Sequence, residues 1–312
     1  MTSPTTSNRQ GANTAIAAGI DLGGTKIEAQ VFDESWQVID KKRVATPGTY
    51  PALLAALSGL MTWSERVADR IIPVGIGAAG LINPATGLVL SANICATGRP
   101  LPADIATAAG RPVSYINDCR ALALSEAVFG AGQGHKSVLS VILGTGIGGG
   151  LALDGALRTG PSGTGGEIGH CAAPAAIVAQ HNLPVVACGC GRTGCIETYI
   201  AGPGLERLAR ALLGTDMSAR AISAQRHSTT APVWQVWCAL TADLLRTLIL
   251  TLDPDVIVLG GGLSTIDGVE DDLFIATQNA HFAGFTPPPI VLAQGGDASG
   301  ARGAAYAAWQ AT

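Results

Sequence analysis

Residues Ala15-Ile16-Ala17-Ala18-Gly19-Ile20-Asp21, then Leu22-Gly23-Gly24-Thr25, then Lys26-Ile27-Glu28-Ala29-Gln30-Val31-Phe32 read as a buried strand, a glycine turn and a second strand. The apolar residues of the second strand alternate at Ile27, Ala29 and Val31. This is a β-hairpin, not a strand feeding a helix. Asp21, Gly23, Gly24, Thr25 and Lys26 bring a carboxylate, bare backbone, a hydroxyl and an ammonium into one turn. Such a turn can approach phosphates closely and hold a divalent cation. An ordinary hairpin turn with a solvated lysine has the same spelling.

A second copy of the pattern favours the phosphate reading. Residues 137–143 form a strand, 144–150 a glycine turn containing Gly144, Thr145 and Gly146, and 151–153 a strand ending at Asp154-Gly155. Two related halves with a cleft between them would hold a nucleotide. Around them, helices are expected at 51–68, 121–129, 232–252 and 301–309, and strands at 71–76, 113–116 and 256–259, the last running into Gly260-Gly261-Gly262.

Two glycine motifs with other meanings fail on context. Gly19 to Lys26 misses the P-loop spacing by one residue and precedes a strand where that loop needs a helix. Gly75-Ile76-Gly77-Ala78-Ala79-Gly80 matches the dinucleotide spelling, but Leu81-Ile82-Asn83-Pro84 cannot open the helix that dinucleotide binding requires. Its glycines are read as allowing close approach of a substrate at the domain junction.

The 312 residues allow two domains, 14–117 with a C-terminal helix 300–312 returning to it, and 118–299. Apolar residues make up 47% and charged ones 13%, as in a compact α/β protein. The 19 Lys and Arg are scattered and the net charge is −4, so nucleic acid is not an expected partner. Neither a signal peptide nor a run of about 18 apolar residues stands out, so a cytoplasmic enzyme without a membrane partner is expected.

Seven cysteines make a poor disulfide framework, and three of them crowd into Cys188, Cys190 and Cys195. With His170 they match closed tetrahedral Zn²⁺ coordination, which is structural because all four positions are filled by protein. The same closure argues against a zinc hydrolase. Cys171 and His181 are alternative ligands, and reduced buried cysteines the plainer reading.

Asn117, Asp118, Glu167 and Glu197 are the polar groups suited to phosphoryl transfer. One carboxylate must reach the acceptor hydroxyl, and others must fix its carrier. Asp118, at a strand end, is the best general base. Glu167 lies three residues before His170 and Glu197 two after Cys195, so a metal there would lock both. Each carboxylate alone could equally be a solvated acid.

From Ile20 to Trp309 the sequence resembles the ROK family of bacterial sugar kinases and repressors. The likeness rests on residues 21–26, Asn117-Asp118, residues 143–150, Gly166-Glu167-Ile168-Gly169-His170, residues 188–197, Asp253-Pro254-Asp255 and residues 260–262. It implies a two-domain α/β, actin-like ATPase (ribonuclease H-like) fold with an interdomain cleft, Mg²⁺ and ATP, structural zinc and a homodimer. It makes Asp118 the base and Asn93, Asn117, Glu167, His170 and Glu197 the sugar binders, His170 serving zinc and sugar through its two nitrogens. Asp21, Gly23 to Lys26, Gly144, Thr145 and Gly146 would line the phosphates, and Gly261 and Gly262 would lie beside the adenosine.

Within that family the chain is most similar to kinases that convert N-acetyl-D-glucosamine to its 6-phosphate. Fructose, glucose and N-acetylmannosamine are the alternative substrates. Cys119 and Arg120 stand where small or amide residues are usual. About 14 residues precede the first strand, too few for the helix-turn-helix of a repressor. A non-catalytic sugar sensor would be expected to lose the base or the phosphate turns, and both are present.

Overall fold

The computed structural model describes residues 14–91, 93–296 and 299–312. The chain divides into two compact units: one runs to Asp118 and is completed by Gly300–Thr312, and the other is Cys119–Ser299. The segment at 1–13 and Ala92 lie outside the described residues, as do Asp297 and Ala298.

The first unit contains β1 (Ala15–Leu22), β2 (Lys26–Asp33), β3 (Val38–Ala45), α1 (Tyr50–Ala68), β4 (Val74–Ala78), the short β5 (Leu81–Ile82) and β6 (Val89–Leu90), α2 (Leu101–Ala109) and β7 (Ser114–Asn117). Its main sheet runs β3-β2-β1-β4-β7. The β1–β2 and β2–β3 pairs are antiparallel, whereas β1–β4 and β4–β7 are parallel. The expected hairpin is present, with Ile20 opposite Ala29 and Leu22 opposite Ile27. β3 is an almost fully exposed edge carrying Lys41, Lys42 and Arg43, charges that discourage pairing with another chain. Arg43 Nε donates to the buried Glu28 at 2.6 Å, tying edge to core.

α3 (Asp118–Phe129) leads into the second unit. There follow β8 (Ser137–Leu143), β9 (Ile147–Leu153), β10 (Ala156–Leu157), α4 (Ala175–Gln180), α5 (Glu197–Ile200), α6 (Gly202–Leu213), α7 (Ala219–Ala224), α8 (Ala231–Leu252), β11 (Val256–Gly260), α9 (Val269–Ala280) and β12 (Ile290–Leu292). The sheet order is β10-β9-β8-β11-β12, the first sheet repeated position for position. The recurrence legible in the sequence is thus a repeat of a whole sheet.

α10 (Ser299–Gln310) follows β12 but belongs to the first unit from Gly300 onward. Its backbone lies so close to β1 and β4 that a Cβ on Gly19 or Gly75 would collide with the carbonyl oxygens of Ala301 and Ala304. This corrects the reading of the 75–80 glycines: Gly75 accommodates a helix, not a substrate. Gly80 has φ +110° and turns the chain against Leu90 and Ser91.

The second glycine turn is also shorter than expected. β9 already begins at Ile147, so Gly148, Gly149 and Gly150 are strand residues. Gly148 and Gly150 are small because α3 packs on them, a Cβ on Gly148 lying 2.5 Å from Cys119 Sγ and one on Gly150 2.7 Å from Ala123 Cβ, whereas a Cβ on Gly149 would meet Ser140 O and Ile168.

α8 is long and apolar enough, by length and composition, to cross a membrane, but 67% of that stretch is buried inside the protein. Trp234 and Trp237 stack there at 4.6 Å, and Trp237 Nε1 donates to Ile200 O at 2.9 Å. It reads as a core helix.

Candidate active site

In the first unit the β1–β2 turn is held from outside. Gly23 N–H donates to Lys26 O at 3.0 Å, Thr46 Oγ1 to Gly23 O at 2.7 Å and Thr46 N–H to Thr25 O at 3.1 Å. The end of β3 therefore stiffens the turn and leaves Gly24, Thr25 and Lys26 exposed to a ligand. A Cβ on Gly24 would lie 2.8 Å from Asn93 O, so the turn and Asn93 are neighbours. Asp21 faces the start of α10, where a Cβ on Gly300 would stand 3.3 Å from its Oδ1.

Asn117 ends β7 and donates from Nδ2 to Gly80 O at 3.1 Å. Asp118 is the next residue and the first of α3, where an acidic side chain suits the helix N-terminus. Tyr115, three residues before it, has its phenol pushed up, first by burial and then by the charge of Asp118. Tyr115 is thus a neighbour of the base candidate that the sequence did not single out.

In the second unit the other glycine turn closes on itself, with Gly144 N–H donating to Gly146 O at 3.1 Å, and Gly202 N–H donating to Gly144 O at 2.8 Å. Thr145 is exposed between them. Gly146 is small because a Cβ there would sit 2.9 Å from Glu197 Oε2. That same oxygen accepts from Ile147 N–H at 2.8 Å. Gly261, at φ +87°, leaves β11 so close to β8 that a Cβ would lie 2.5 Å from Leu143 O. Gly262 begins the 3-10 turn Gly262–Thr265 that comes next. Gly144, Gly146, Glu197 and Gly261 therefore gather at the C-terminal ends of β8 and β11, where α/β sheets place ligands.

Glu167 caps the 3-10 turn Ile168–His170, with His170 N–H donating to Glu167 O at 3.1 Å. Nε2 of His170 lies 3.7 Å from Glu167 Oε2, and Nδ1 lies 3.5 Å from Cys188 Sγ. The ring faces the carboxylate with one nitrogen and the thiols with the other. Cys190 Sγ and Cys195 Sγ are 3.6 Å apart, and all four donor atoms lie within 4.8 Å of one another. A tetrahedral ion with bonds of about 2.0–2.3 Å would separate its ligands by about 3.5–3.8 Å, so the donor set fits such an ion.

Among the described residues Cys171 and His181 are not in this group. Cys171 is exposed and contributes its backbone instead, accepting from Ile196 N–H at 2.8 Å, while Ala173 N–H donates to Gly194 O at 2.9 Å. Those bonds zip the His170 segment to the cysteine knuckle, which turns at Gly191 (φ +88°) and Gly194 (φ +69°). Burial, then the neighbouring thiols, push Cys195 up to about 12, whereas the backbone N–H of Arg192 pulls Cys190 down. A bound dication would override the first effect, since it binds the thiolate.

Glu197 is anchored through the residues after it. Tyr199 is buried and its hydroxyl donates to Pro184 O at 3.0 Å; Arg207 donates to Thr198 O; Trp237 holds Ile200. A cavity of about 530 Å³ between α8 and α9 is lined by none of the residues expected from sequence.

The family model described as "ROK family" matches residues 17–311. The chain is 41% identical over 292 residues to the N-acetylgalactosamine kinase AgaK of Shewanella sp. (strain ANA-3), covering 92% of this chain and 94% of that one. It is 37% identical over 295 residues to the N-acetyl-D-glucosamine kinase of Haemophilus influenzae (strain 86-028NP), covering 92% and 97%. Among solved structures, the ROK hexokinase from Thermus thermophilus superposes with a TM-score of 0.83 at 32% identity, over 94% of this chain and 98% of that one. The repeated sheet is accordingly that of the actin-like ATPase fold, and the chain belongs to the ROK family.

Proposed function

We propose that the protein is an ATP-dependent kinase of a free N-acetylhexosamine, N-acetyl-D-glucosamine foremost, with phosphorylation at the 6-hydroxyl. The observation that carries this is the match over 92% of the chain to kinases of two such sugars. N-acetylgalactosamine is the second reading, favoured by the 41% identity to the Shewanella kinase. The two sugars share the 2-acetamido group and the 6-hydroxyl and differ at carbon 4, so one mechanism serves both.

The sugar oxygen attacks the γ-phosphorus of ATP, the bond from that phosphorus to the β,γ-bridging oxygen breaks, and ADP leaves. Asp118 takes the hydroxyl proton as the new bond forms. Exposed groups of Gly24, Thr25 and Lys26 and of Thr145 and Gly146 receive the phosphates, with Gly23 and Gly144 closing the two turns and Asp21 beside them, and Gly261 and Gly262 leave room for adenosine. Mg²⁺ would neutralise charge on the β- and γ-phosphates. Glu167, His170 and Glu197, with Asn93 and Asn117, hold the sugar hydroxyls. Glu197 Oε2 is committed to Ile147 N–H, and Oε1, which accepts from the Cys188 thiol at 3.8 Å, is the oxygen left for the sugar once that thiol is a metal-bound thiolate.

Zinc on His170, Cys188, Cys190 and Cys195 would fix the His170 ring and the knuckle. The distances between those donors support it. A homodimer in the cytoplasm completes the reading.

The test is ADP release with Mg-ATP against N-acetylglucosamine, N-acetylgalactosamine, N-acetylmannosamine, glucose and fructose, comparing kcat/KM. N-acetylglucosamine is expected to lead. A lead for N-acetylgalactosamine moves the specificity, and no turnover with any sugar removes the kinase. In the same assay Asp118→Asn should lose about 10² to 10⁴-fold in kcat while still binding sugar. Loss of binding with turnover per bound sugar intact would refute Asp118 as the base.

A further inference from the structure

Between β10 and the His170 turn the chain runs Arg158-Thr159-Gly160-Pro161-Ser162-Gly163-Thr164-Gly165-Gly166-Glu167, and no residue from 154 to 168 is buried. A loop of this composition has no apolar anchor and should wander. It is tied instead through its backbone. On one side Gly149 N–H donates to Gly166 O at 2.8 Å; Gly166 is at φ +97° and so close to Gly149 O that a Cβ would collide with it. On the other side stands Arg120, the third residue of α3. Its Nε and one terminal nitrogen donate to Gly165 O at 3.1 and 2.8 Å, and the terminal nitrogen also donates to Gly163 O.

From these carbonyls the geometry passes directly to the site. Glu167 N–H donates to Thr164 O at 3.2 Å, inside the clamped stretch, and His170 N–H donates to Glu167 O. A side chain that holds the carbonyls of Gly163 and Gly165 therefore limits where the Glu167 carboxylate stands and how it meets the His170 ring.

We infer that Arg120 is a positioning residue for sugar binding, acting by clamping the 158–167 loop so that Glu167 is set before the sugar arrives. The inference rests on the assignment of Glu167 to the sugar under the proposed function. A guanidinium suits this task because its planar fork reaches two acceptors at once, whereas the ammonium of lysine is a single point with more freedom. The clamp acts on affinity: sugar binding no longer has to order the loop, so its removal shows mainly in KM for sugar. It also lies on the helix that begins with Asp118, two residues on, so the helix that presents the base restrains the sugar loop as well.

The experiment compares Arg120→Ala, Arg120→Lys and Glu167→Gln in the full chain, measuring KM for N-acetylglucosamine, KM for ATP, kcat, zinc content and hydrogen exchange. Arg120→Ala is expected to raise the sugar KM between about tenfold and a hundredfold, with KM for ATP within about twofold and zinc retained. Exchange of amides in 158–167 should quicken while the β8 strand stays protected. Arg120→Lys should fall between the wild type and Arg120→Ala. Hydrogen exchange keeps the inference testable if Arg120→Ala loses too much activity to assay.

An unchanged sugar KM in Arg120→Ala beside a raised one in Glu167→Gln would overturn the clamp and leave the Glu167 assignment standing. An unchanged sugar KM in Glu167→Gln would overturn that assignment and the clamp with it. Unchanged exchange in 158–167 would also overturn the clamp.

Discussion

The two sheets share one strand order and diverge most after their third strands. In the first unit the step from the third strand to the fourth is the single helix α1; in the second, the step from β10 to β11 holds the clamped loop, the cysteine knuckle and α4 to α8. The frame is the same, since both sheets pair their first three strands antiparallel and the rest parallel. Both also make room for a helix with glycines, Gly19 and Gly75 under α10 and Gly148 and Gly150 under α3. A glycine-bearing sheet with a hairpin turn is thus the frame that the two units repeat, and the clamped loop and the cysteine knuckle are inserted at one join of the second.

The comparison breaks first if the knuckle is dispensable. Cys190→Ser should lose zinc and lower the melting temperature, and should weaken sugar affinity by at least about tenfold, since a missing ligand leaves the His170 turn and Glu197 without their common support. Wild-type zinc content and melting temperature in that variant would mean the insertion is held by its hydrogen bonds alone. KM for ATP should change much less, because no metal donor lies on either glycine turn.

The glycines under the helices allow a smaller test. Gly75→Ala should cost about 1–3 kcal/mol, because α10 backbone occupies the space, and so lower the melting temperature by several degrees. Gly48→Ala, where nothing stands within 4 Å, should be nearly neutral. Equal effects at both positions would show that backbone freedom, and not the packing of α10, explains the glycines of the first sheet.

The smallest expected effect separates the hairpins by pH. Burial raises the Glu28 carboxyl, but the hydrogen bonds from Gln30 and Arg43 outweigh it and leave its pKa below the ordinary 4.5. A depressed carboxylate stabilises the fold above its ordinary value, and that contribution disappears as pH falls through the depressed one. The β9 hairpin has no such group, so Glu28→Gln should flatten the acid limb of the stability curve below about pH 4.5 by no more than about 1 kcal/mol. An acid limb identical to wild type would remove Glu28 from the account.

The parts legible in the sequence were those that a single local rule decides. Alternation gave the β1–β2 hairpin, helical spacing gave α1 and α8, and the soft ligands at Cys188, Cys190 and Cys195 gave the donor cluster. What escaped depends on partners remote in the chain. β3 carries too many charges to look like a strand and forms because β2 offers it a ladder. Gly148 to Gly150 spell a turn, yet pairing with β8 makes them strand and α3 lies against Gly148 and Gly150. Gly75 spells a ligand motif, yet a helix more than 200 residues later fills the space beside it. Cys171 and His181 could not be separated from His170 as ligands until the knuckle's fold was known. Arg120 stood out only as an unusual residue after Asp118; its hold on Gly163 and Gly165 was not legible, because those acceptors are backbone carbonyls and any residue has them.

The return of α10 to the first sheet also sets an order of events during synthesis. β1 and β4 emerge early, each with a bare glycine face, and the helix that covers them is made only after Cys119–Ser299. At ordinary elongation rates that is a wait on the order of ten seconds or more, far longer than a hairpin needs to form. Throughout that wait the glycine faces of β1 and β4 lack the helix that covers them in the finished protein, so the first unit is completed only when the last residues are made.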